Sequence, residues 1–245
     1  MNDTTPSYLI LGGAGAIGSA VARRLAARGA HVVVAGRTAE TLNALAEEIG
    51  GSAVEIDARD FEQVATAVDR AIEAGTFAGA LNAVGSIELR PASATSRETF
   101  DDVIETNLAT AFALVRSAGA KLARGGGGSL VLMSSAAGRV GLPNHEVIAA
   151  AKGGVEGLAK AAAASLAKRG VRVNAVAPGL VDTPLAERIT SNEKALEASK
   201  SMHPLGRIGT PDEVASLIEW LLTEEGSWVT GTVISMDGGM AQLRG

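Results

Sequence analysis

Short apolar runs alternate with amphipathic helical segments along most of this chain of 245 residues, and this alternation limits the folds open to it. Strands separated by helices form βαβ units, which build a parallel sheet with helices on both faces. No internal repeat and no linker divides the chain. We therefore predict a single doubly wound α/β domain over residues 1–245, with a seven-stranded parallel sheet. The predicted strands are 8–11, 31–35, 53–56, 79–84, 129–133, 171–176 and 232–236, and the predicted helices are 17–28, 39–49, 61–74, 97–123 and 147–168.

Composition narrows the range of functions. Hydrophobic residues make up 47% of the chain and aromatic residues only 3%, so Ala, Val, Leu, Ile and Gly must fill the core. A net charge of -5 with both signs interspersed argues against a nucleic-acid partner. The chain has no cysteine, which excludes disulfides and thiolate chemistry. No apolar run reaches the roughly 18 residues that span a membrane, and the first residues do not resemble a signal peptide. We therefore expect a cytoplasmic protein with a small-molecule substrate and no membrane partner.

A glycine-rich segment joins the first predicted strand to the first predicted helix. Glycines allow a tight turn and the close approach of a pyrophosphate, which accepts hydrogen bonds from amides at the helix N-terminus. This context predicts a Rossmann-type dinucleotide site, built by Gly12, Gly13, Gly15, Ala16, Ile17 and Gly18.

The end of the second predicted strand indicates which dinucleotide binds. A carboxylate here would bind the ribose 2′-hydroxyl of NAD(H), whereas an arginine accommodates the 2′-phosphate of NADP(H). The chain has Arg37 and no carboxylate at this place, and Thr38 follows as a second donor. The pattern favours NADP(H) over NAD(H), with a merely solvated Arg37 as the alternative. We expect no metal site.

The segment from Ser134 to Lys152 resembles the short-chain dehydrogenase/reductase family, in its short branch with the 3-oxoacyl-[acyl-carrier-protein] reductases. Ser135 and Lys152 have the spacing at which that family places a serine and a lysine around a tyrosine, but position 148 is Ile. Met236-Asp237-Gly238-Gly239 matches the family's C-terminal signature, whereas Leu11 and Ala16 depart from its usual glycine motif. The resemblance implies cofactor contacts by Asp57, Ala58, Asn82, Ala83, Gly85, Lys152, Pro178, Gly179, Val181 and Thr183.

The resemblance also implies an oxidoreductase from which the tyrosine acid is missing. In the family, the tyrosine protonates the carbonyl oxygen, the lysine lowers the pKa of the phenol, the serine binds the substrate oxygen and an asparagine holds a water. Carried over, these last three are Lys152, Ser135 and Asn107, and Lys152 also binds the nicotinamide ribose. Ile148 can neither donate nor accept a proton, and the only tyrosine, Tyr8, lies in the first predicted strand.

His145 is the candidate for a replacement acid. It lies three residues before Ile148, one helical turn away if the helix has already begun. A histidine side chain ordinarily titrates at about pH 6.5, so it can deliver a proton near neutral pH. A polar residue of the loop before the helix is the competing interpretation. Glu146, as a residue that orients His145, and His203, as a residue that reaches the substrate, are weaker candidates.

Three functions remain open on the sequence alone. The first is an NADP(H)-dependent oxidoreductase acting on a carbonyl or alcohol, whose proton comes from His145, from a water held by Ser135 or from the substrate. The second acts on a C=C bond, where the acid can lie elsewhere, as in dienoyl-CoA reductases of this family that lack the tyrosine. The third is a catalytically inactive NADP(H)-binding homologue that serves as a sensor or partner subunit.

Two further expectations concern surfaces. Residues 86–93 and a mobile lid over 183–204 should line the substrate pocket. The resemblance implies a homotetramer formed through the helix after Val147 and the C-terminal strand. A face of small residues on that helix would allow close packing against another subunit or against the chain's own sheet: Ala149, Ala150, Gly153, Gly157 and Ala161.

Overall fold

The computed structural model describes residues 5–243, and its strands form one parallel sheet. The strands are β1 (Pro6–Leu11), β2 (His31–Gly36), β3 (Ser52–Glu55), β4 (Thr76–Asn82), β5 (Gly128–Met133), β6 (Val171–Pro178) and β7 (Val233–Met236). Their order in the sheet is β3-β2-β1-β4-β5-β6-β7. The helices are α1 (Ala16–Ala27), α2 (Ala39–Ile49), α3 (Phe61–Glu73), α4 (Arg97–Ile104), α5 (Thr110–Arg124), α6 (Glu146–Leu166), α7 (Glu187–Thr190), α8 (Glu193–Met202) and α9 (Pro211–Leu222). The predicted fold class is confirmed, and the strand bounds agree with the prediction to within three residues.

Side chains that alternate along the strands divide the core into two layers. In β1, Leu9 and Leu11 belong to one layer, whereas Tyr8 and Ile10 belong to the other. Helices α3, α5 and α6 cover the first layer, and α1, α2 and α9 cover the second. Because both faces of the strand are covered, it has the continuous apolar sequence of a buried parallel strand. In the described part of the chain, no helix has the length and apolar character needed to cross a membrane.

The strand order reverses at β1, which has β2 on one side and β4 on the other. Leu11 is level with both Ala35 of β2 and Asn82 of β4, so these three strands end at the same edge. In open α/β sheets, the crevice beyond the carboxyl ends of the strands at such a reversal is where ligands bind. The glycine turn after β1 and the segment after β4 both begin there.

Three helical regions differ from the sequence prediction. Helix α9 was missed, although Thr210 and Glu213 form a capping box: the Glu213 amide donates to Thr210 Oγ1 (3.3 Å) and the Thr210 amide donates to Glu213 Oε2 (2.9 Å). The predicted helix 97–123 is interrupted by a π-helical turn at Glu105–Ala109. The predicted lid, expected to hold one short helix between irregular ends, holds two helices, α7 and α8, and Asn192 caps α8 by accepting from the Ala195 amide.

The small-residue face of α6 does not pack on the chain's own sheet. The sheet side of this helix is formed by buried residues such as Val155 and Ala159. A Cβ atom added to Gly153 or Gly157 would meet nothing within 4 Å. The prediction that this face packs on the chain's own sheet is therefore wrong, and packing on another subunit stays a prediction. The face stays at least partly exposed at Ala149, Ala150, Gly153, Gly157 and Ala161.

Candidate active site

The glycine turn after β1 is held by its own backbone. The amides of Gly12 and Gly13 both donate to the Ala35 carbonyl, at 2.8 and 3.1 Å. Gly12 has a φ of +75°, a conformation that glycine adopts without strain. A Cβ atom on Gly18 would lie 2.3 Å from the Gly12 carbonyl oxygen, so no other residue fits there. The turn thereby fixes the N-terminus of α1 at the crevice.

The start of α1 leaves its amide donors free for a ligand. Ala16 is the first helical residue, and Gly15 before it has no side chain that could cap the helix. The first turn contains no acidic residue. Free N–H groups at the positive end of a helix bind anions, so a pyrophosphate fits this place chemically. Ile17, one residue into the helix, contributes to the cavity beyond the turn.

Arg37 directly follows β2 and is exposed. Among residues 5–243, it forms no hydrogen bond or ion pair within the protein. Thr38, also exposed, precedes α2 without capping it through its hydroxyl. An unpaired guanidinium beside such a hydroxyl suits a phosphate group, because both are donors that the protein itself does not use.

Asp57 and Ala58 follow β3 at the adjoining edge of the crevice. The Asp57 amide donates to Gln63 Oε1 (2.9 Å), and Asp57 Oδ1 accepts from the Arg59 amide (3.0 Å). The side chain is exposed, whereas Ala58 is buried. The other carboxylate oxygen of Asp57 remains available to accept a hydrogen bond from an amine.

Asn82, at the end of β4, shapes the floor of the crevice. Its Nδ2 donates to Thr110 Oγ1 (3.0 Å), and its Oδ1 accepts from the Val84 amide (3.1 Å). The Ala83 amide donates to the Leu11 carbonyl at 2.9 Å, which continues the pairing with β1. Because these bonds lie within the protein, Asn82 positions the segment after β4 rather than a ligand.

Asn107 lies buried in the π-helical turn, a type of distortion that is frequent at functional sites. Its Oδ1 accepts from the Ser86 amide (3.1 Å), while Nδ2 donates to Ser86 Oγ (2.9 Å) and to the Val103 carbonyl (3.0 Å). Asn107 therefore fixes the start of segment 86–93. The pairing of Ser86 with Asn107 was not predicted, since no pattern in the sequence links these two residues.

Lys152 is buried beside the same segment. Its Nζ donates to the Met133 carbonyl at 2.9 Å. A Cβ atom on Gly85 would lie 3.0 Å from Asn107 Oδ1 and 3.4 Å from Lys152 Nζ, so glycine at this position lets both side chains approach. Burial lowers the pKa of Lys152 to about 8. The ammonium form therefore still predominates at neutral pH, with two N–H groups free for a ligand.

Two adjoining cavities meet at Ser135 and Ile148, which line both. The inner cavity, of about 150 Å³, includes Lys152 and Thr183 in its lining. The outer cavity, of about 260 Å³, lies against α8 and includes Met202. Ser135 Oγ accepts from the amide two residues on (3.2 Å), so its O–H is free to donate to a ligand. Ile148 presents only carbon to the place where the cavities meet.

His145 lines the outer cavity, together with Ile148. Helix α6 begins one residue after His145, which acts as its N-cap residue and accepts the Ala149 amide through its carbonyl (2.7 Å). Nδ1 lies 2.8 Å from the Pro143 carbonyl oxygen. Because a carbonyl only accepts, Nδ1 carries a hydrogen and Nε2 is left for another partner. Glu146 is exposed on the first turn of the helix.

His203 also touches the outer cavity, but both of its ring nitrogens are used within the protein. Nδ1 donates to the Ser199 carbonyl (2.6 Å), and Nε2 accepts from the Leu180 amide (3.2 Å). This buried imidazole therefore ties the end of α8 to the segment after β6. The hypothesis that it reaches the substrate is not supported by this geometry.

The segment after β6 separates the two cavities. Pro178 is the last residue of the strand, and Val181 is buried. A Cβ atom on Gly179 would lie 2.3 Å from His203 Nε2, so only glycine lets the imidazole approach. Thr183 begins a short 3-10 turn that its hydroxyl does not cap. That hydroxyl is therefore free for a ligand in the inner cavity.

The lining of the outer cavity was only partly predicted. Segments 86–93 and 183–204 contribute residues such as Leu89 and Met202, as expected. Leu142, Leu180 and Met240 also line it, and they come from three further segments. Isolated apolar residues carry no functional signal in a sequence, because such residues are common everywhere in a globular protein.

Comparison with known proteins identifies the family. Residues 12–241 match a family model described as enoyl-(acyl carrier protein) reductase. The chain is 36% identical to the 3-oxoacyl-[acyl-carrier-protein] reductase of Thermotoga maritima, over 95% of this chain and 96% of that protein. It is 37% identical to a 2,5-dichloro-2,5-cyclohexadiene-1,4-diol dehydrogenase of Sphingobium indicum, over 97% of each.

Solved structures agree with these relatives. A short-chain type dehydrogenase/reductase from Mycobacterium ulcerans superposes with a TM-score of 0.92 at 31% identity, covering 98% of this chain and 91% of that one. A variant of actinorhodin polyketide ketoreductase with NADPH superposes with a TM-score of 0.90 at 29% identity, covering 99% of each. The chain therefore belongs to the short-chain dehydrogenase/reductase family.

Proposed function

We propose that this protein is an NADP(H)-dependent oxidoreductase that acts on a small carbonyl, alcohol or enoyl substrate in an active site without the tyrosine proton donor. One observation carries the proposal: the inner cavity, with Lys152 and Thr183, opens at Ser135 onto a second cavity of substrate size. A substrate that accepts a hydrogen bond from Ser135 would lie directly against whatever occupies the inner cavity. A bound nicotinamide would supply or accept the hydride.

The residues of the chain would bind and orient both reactants. The turn at Gly12, Gly15 and Gly18 and the start of α1 would hold the pyrophosphate. Lys152 Nζ would donate to ribose hydroxyls, and the Thr183 hydroxyl would meet the carboxamide. Asn107 would act by positioning, since its side chain holds the segment after β4.

The preference for NADP(H) rests on Arg37, whose exposed guanidinium has no partner within the described residues. A 2′-phosphate would gain charge-assisted hydrogen bonds there. Titration of the protein with NADPH and NADH, followed by nicotinamide fluorescence, tests this preference. We expect Arg37→Ala to weaken NADPH binding about tenfold or more and to leave NADH binding nearly unchanged.

Arg169→Ala is the matched control, because Arg169 is another exposed arginine, located before β6 at the opposite edge of the sheet. It should change neither affinity. Equal NADPH affinities of the Arg37→Ala protein and the unaltered protein would remove the argument for NADP(H). If neither NADPH nor NADH binds, the proposed oxidoreductase function is wrong.

His145 is our candidate for the proton donor. It lines the same cavity as Ser135, and only its Nδ1 is engaged within the protein. His145→Gln keeps a polar side chain but removes the titratable ring. If His145 is the acid, turnover should fall by about 10² or more while NADPH affinity is retained. Unchanged turnover would indicate that the proton comes from a water held by Ser135 or from the substrate.

Two other functions remain candidates because Ile148 is apolar. A reductase of C=C bonds needs no acid at position 148, so enoyl substrates belong in the first turnover screen beside carbonyl substrates. The inactive alternative is an NADP(H)-binding sensor or partner subunit. It predicts tight NADPH binding with no turnover of any substrate in either class.

We further propose a homotetramer in which the small-residue face of α6 packs on another subunit. The support is that this face stays open at Gly153 and Gly157 in the single chain. Light scattering after size-exclusion chromatography tests the assembly. Gly157→Glu should lower the measured mass if the face is an interface, and a tetramer unaffected by that substitution would place the contact elsewhere.

A further inference from the structure

The lining of the outer cavity is mostly apolar and has few polar side chains. Its polar side chains with unused hydrogen-bonding capacity, among the described residues, are those of Ser135, His145 and Ser199. His203 also lines it, but both of its ring nitrogens are used within the protein, by the Ser199 main-chain carbonyl and the Leu180 amide. Carbon surfaces form most of the remainder, chiefly Ile87, Leu89, Leu142, Ile148, Leu180 and Met202.

We infer that this cavity binds an uncharged, mainly apolar carbonyl compound of one or two rings, saturated or unsaturated, or the corresponding alcohol. The inference rests on the proposed function and names its substrate class. Ser135 and His145 together can satisfy one carbonyl oxygen. Beyond the Ser199 hydroxyl, a substrate with further polar groups would have to bury them against carbon, which is unfavourable.

Charge points the same way. None of the described residues that line the outer cavity is a lysine, an arginine, an aspartate or a glutamate. In the segment that carries Leu89, Arg90 pairs with Glu88 at 2.5 Å, so these two flanking charges neutralise one another. Lys152 lines the inner cavity and is not part of the lining of the outer one. A carboxylate or phosphate on the substrate would thus be desolvated without a counter-charge.

The rim and the volume of the outer cavity also suit a small apolar compound. Ile87, Leu89 and Met202 are 36%, 39% and 45% exposed, which leaves an apolar margin at the mouth of the cavity. Exposed apolar residues clustered at one cleft indicate a binding surface. The volume of about 260 Å³ falls just below the range of about 300–1,000 Å³ that holds drug-sized ligands. A compound smaller than those, of one or two rings, fits.

A matched set of ligands tests the class: methylcyclohexanone, the same ring with a carboxylate in place of the methyl group, and dihydroxyacetone. Binding is measured by saturation-transfer NMR with and without NADPH, and turnover by NADPH absorbance. We expect methylcyclohexanone to bind about tenfold or more tightly than either of the other two, because their polar groups would be buried unpaired. Equal or tighter binding of the carboxylate or of dihydroxyacetone would overturn the inference.

A charge introduced at the rim gives a second test. Met202→Lys should shift the preference toward the carboxylate by about tenfold, because a cation would then face the cavity. Ile72→Lys is the control: Ile72 is 40% exposed on α3, and the lining of the outer cavity does not include it. An equal shift in both variants would contradict the assignment of Met202 to the binding surface.

The outcomes separate the two proposals. If methylcyclohexanone binds selectively but NADPH does not bind, the apolar site stands and the proposed oxidoreductase fails. If NADPH is consumed only with charged or polyhydroxylated substrates, the oxidoreductase stands and the substrate class is wrong.

Discussion

Ile148→Tyr would introduce a phenol at the point where the inner and outer cavities meet. Ile148 is buried against Val103, Val147 and Ala151, but it also lines both cavities, so a larger ring could extend from this position into them. Lys152 lies one helical turn further along α6 and therefore on the same face. We expect the variant to reduce ketones faster than the unaltered protein.

The expected gain follows from the chemistry of the site. A positioned general acid contributes about 10²–10⁴ in rate. The phenol needs the Lys152 ammonium nearby, and with a pKa of about 8 that group is roughly nine-tenths protonated at pH 7. Fitting a larger side chain into a packed region costs about 1–3 kcal/mol, and the open cavity side lowers that cost. We therefore expect a gain of about 10² or more at pH 7.

The assay is NADPH consumption with a saturating cyclic ketone, measured between pH 6 and about 10. Ile148→Phe is the matched control, because it adds the same ring without the hydroxyl. The ratio of the Tyr variant to the Phe variant isolates the proton donor from any change in packing. The ratio should fall above pH 8, that is about the pKa of Lys152, since the neutral amine no longer lowers the pKa of a phenol.

Equal rates for the two variants would refute the reasoning. They would mean that the missing phenol does not limit turnover, and that protonation of the carbonyl oxygen is not the step supplied at position 148. A gain for both variants would assign the effect to the shape of the aromatic ring.

Three further substitutions test the packing of the site. Burial holds the folded-state pKa of Lys152 near 8, below its unfolded value, so the native state is penalised below pH 8 and relieved as the pH rises to about 10. Lys152→Met should therefore have a higher free energy of unfolding than the unaltered protein at pH 7. The gain is at most about 3 kcal/mol, reduced by the loss of the hydrogen bond to Met133. Urea titrations should show the gain shrinking toward pH 10. Gly18→Ala should lower the melting temperature and abolish NADPH binding, because its Cβ atom would lie 2.3 Å from the Gly12 oxygen. The same change at Gly157 meets open space and should raise the free energy of unfolding of a single chain by about 0.5–1 kcal/mol, and a decrease would show that the helix face is already in contact.

The sheet could be predicted from the sequence because strands covered on both faces consist largely of consecutive apolar residues, as in β1 and β2. Helix α9 was not predicted, although Thr210 and Glu213 form a capping box, which is a sequence-level mark of a helix N-terminus. The π-helical turn around Asn107 could not be predicted, because it is a single turn within a helical segment and no capping side chain or glycine marks it. The outer cavity was out of reach too: Leu142 and Met240 meet only through the tertiary fold.

Helix α6 acts as a wall shared by two compartments. Its inner side carries Ile148 and Lys152, and its outer side carries Ala149 and Gly153, the residues that follow each of them. Consecutive residues of a helix project about 100° apart, so a body packed on Ala149 or Gly153 would contact the same turns of α6 that carry Ile148 and Lys152. Binding on that surface and the position of Lys152 would thus be coupled through one continuous helix, without an intervening loop.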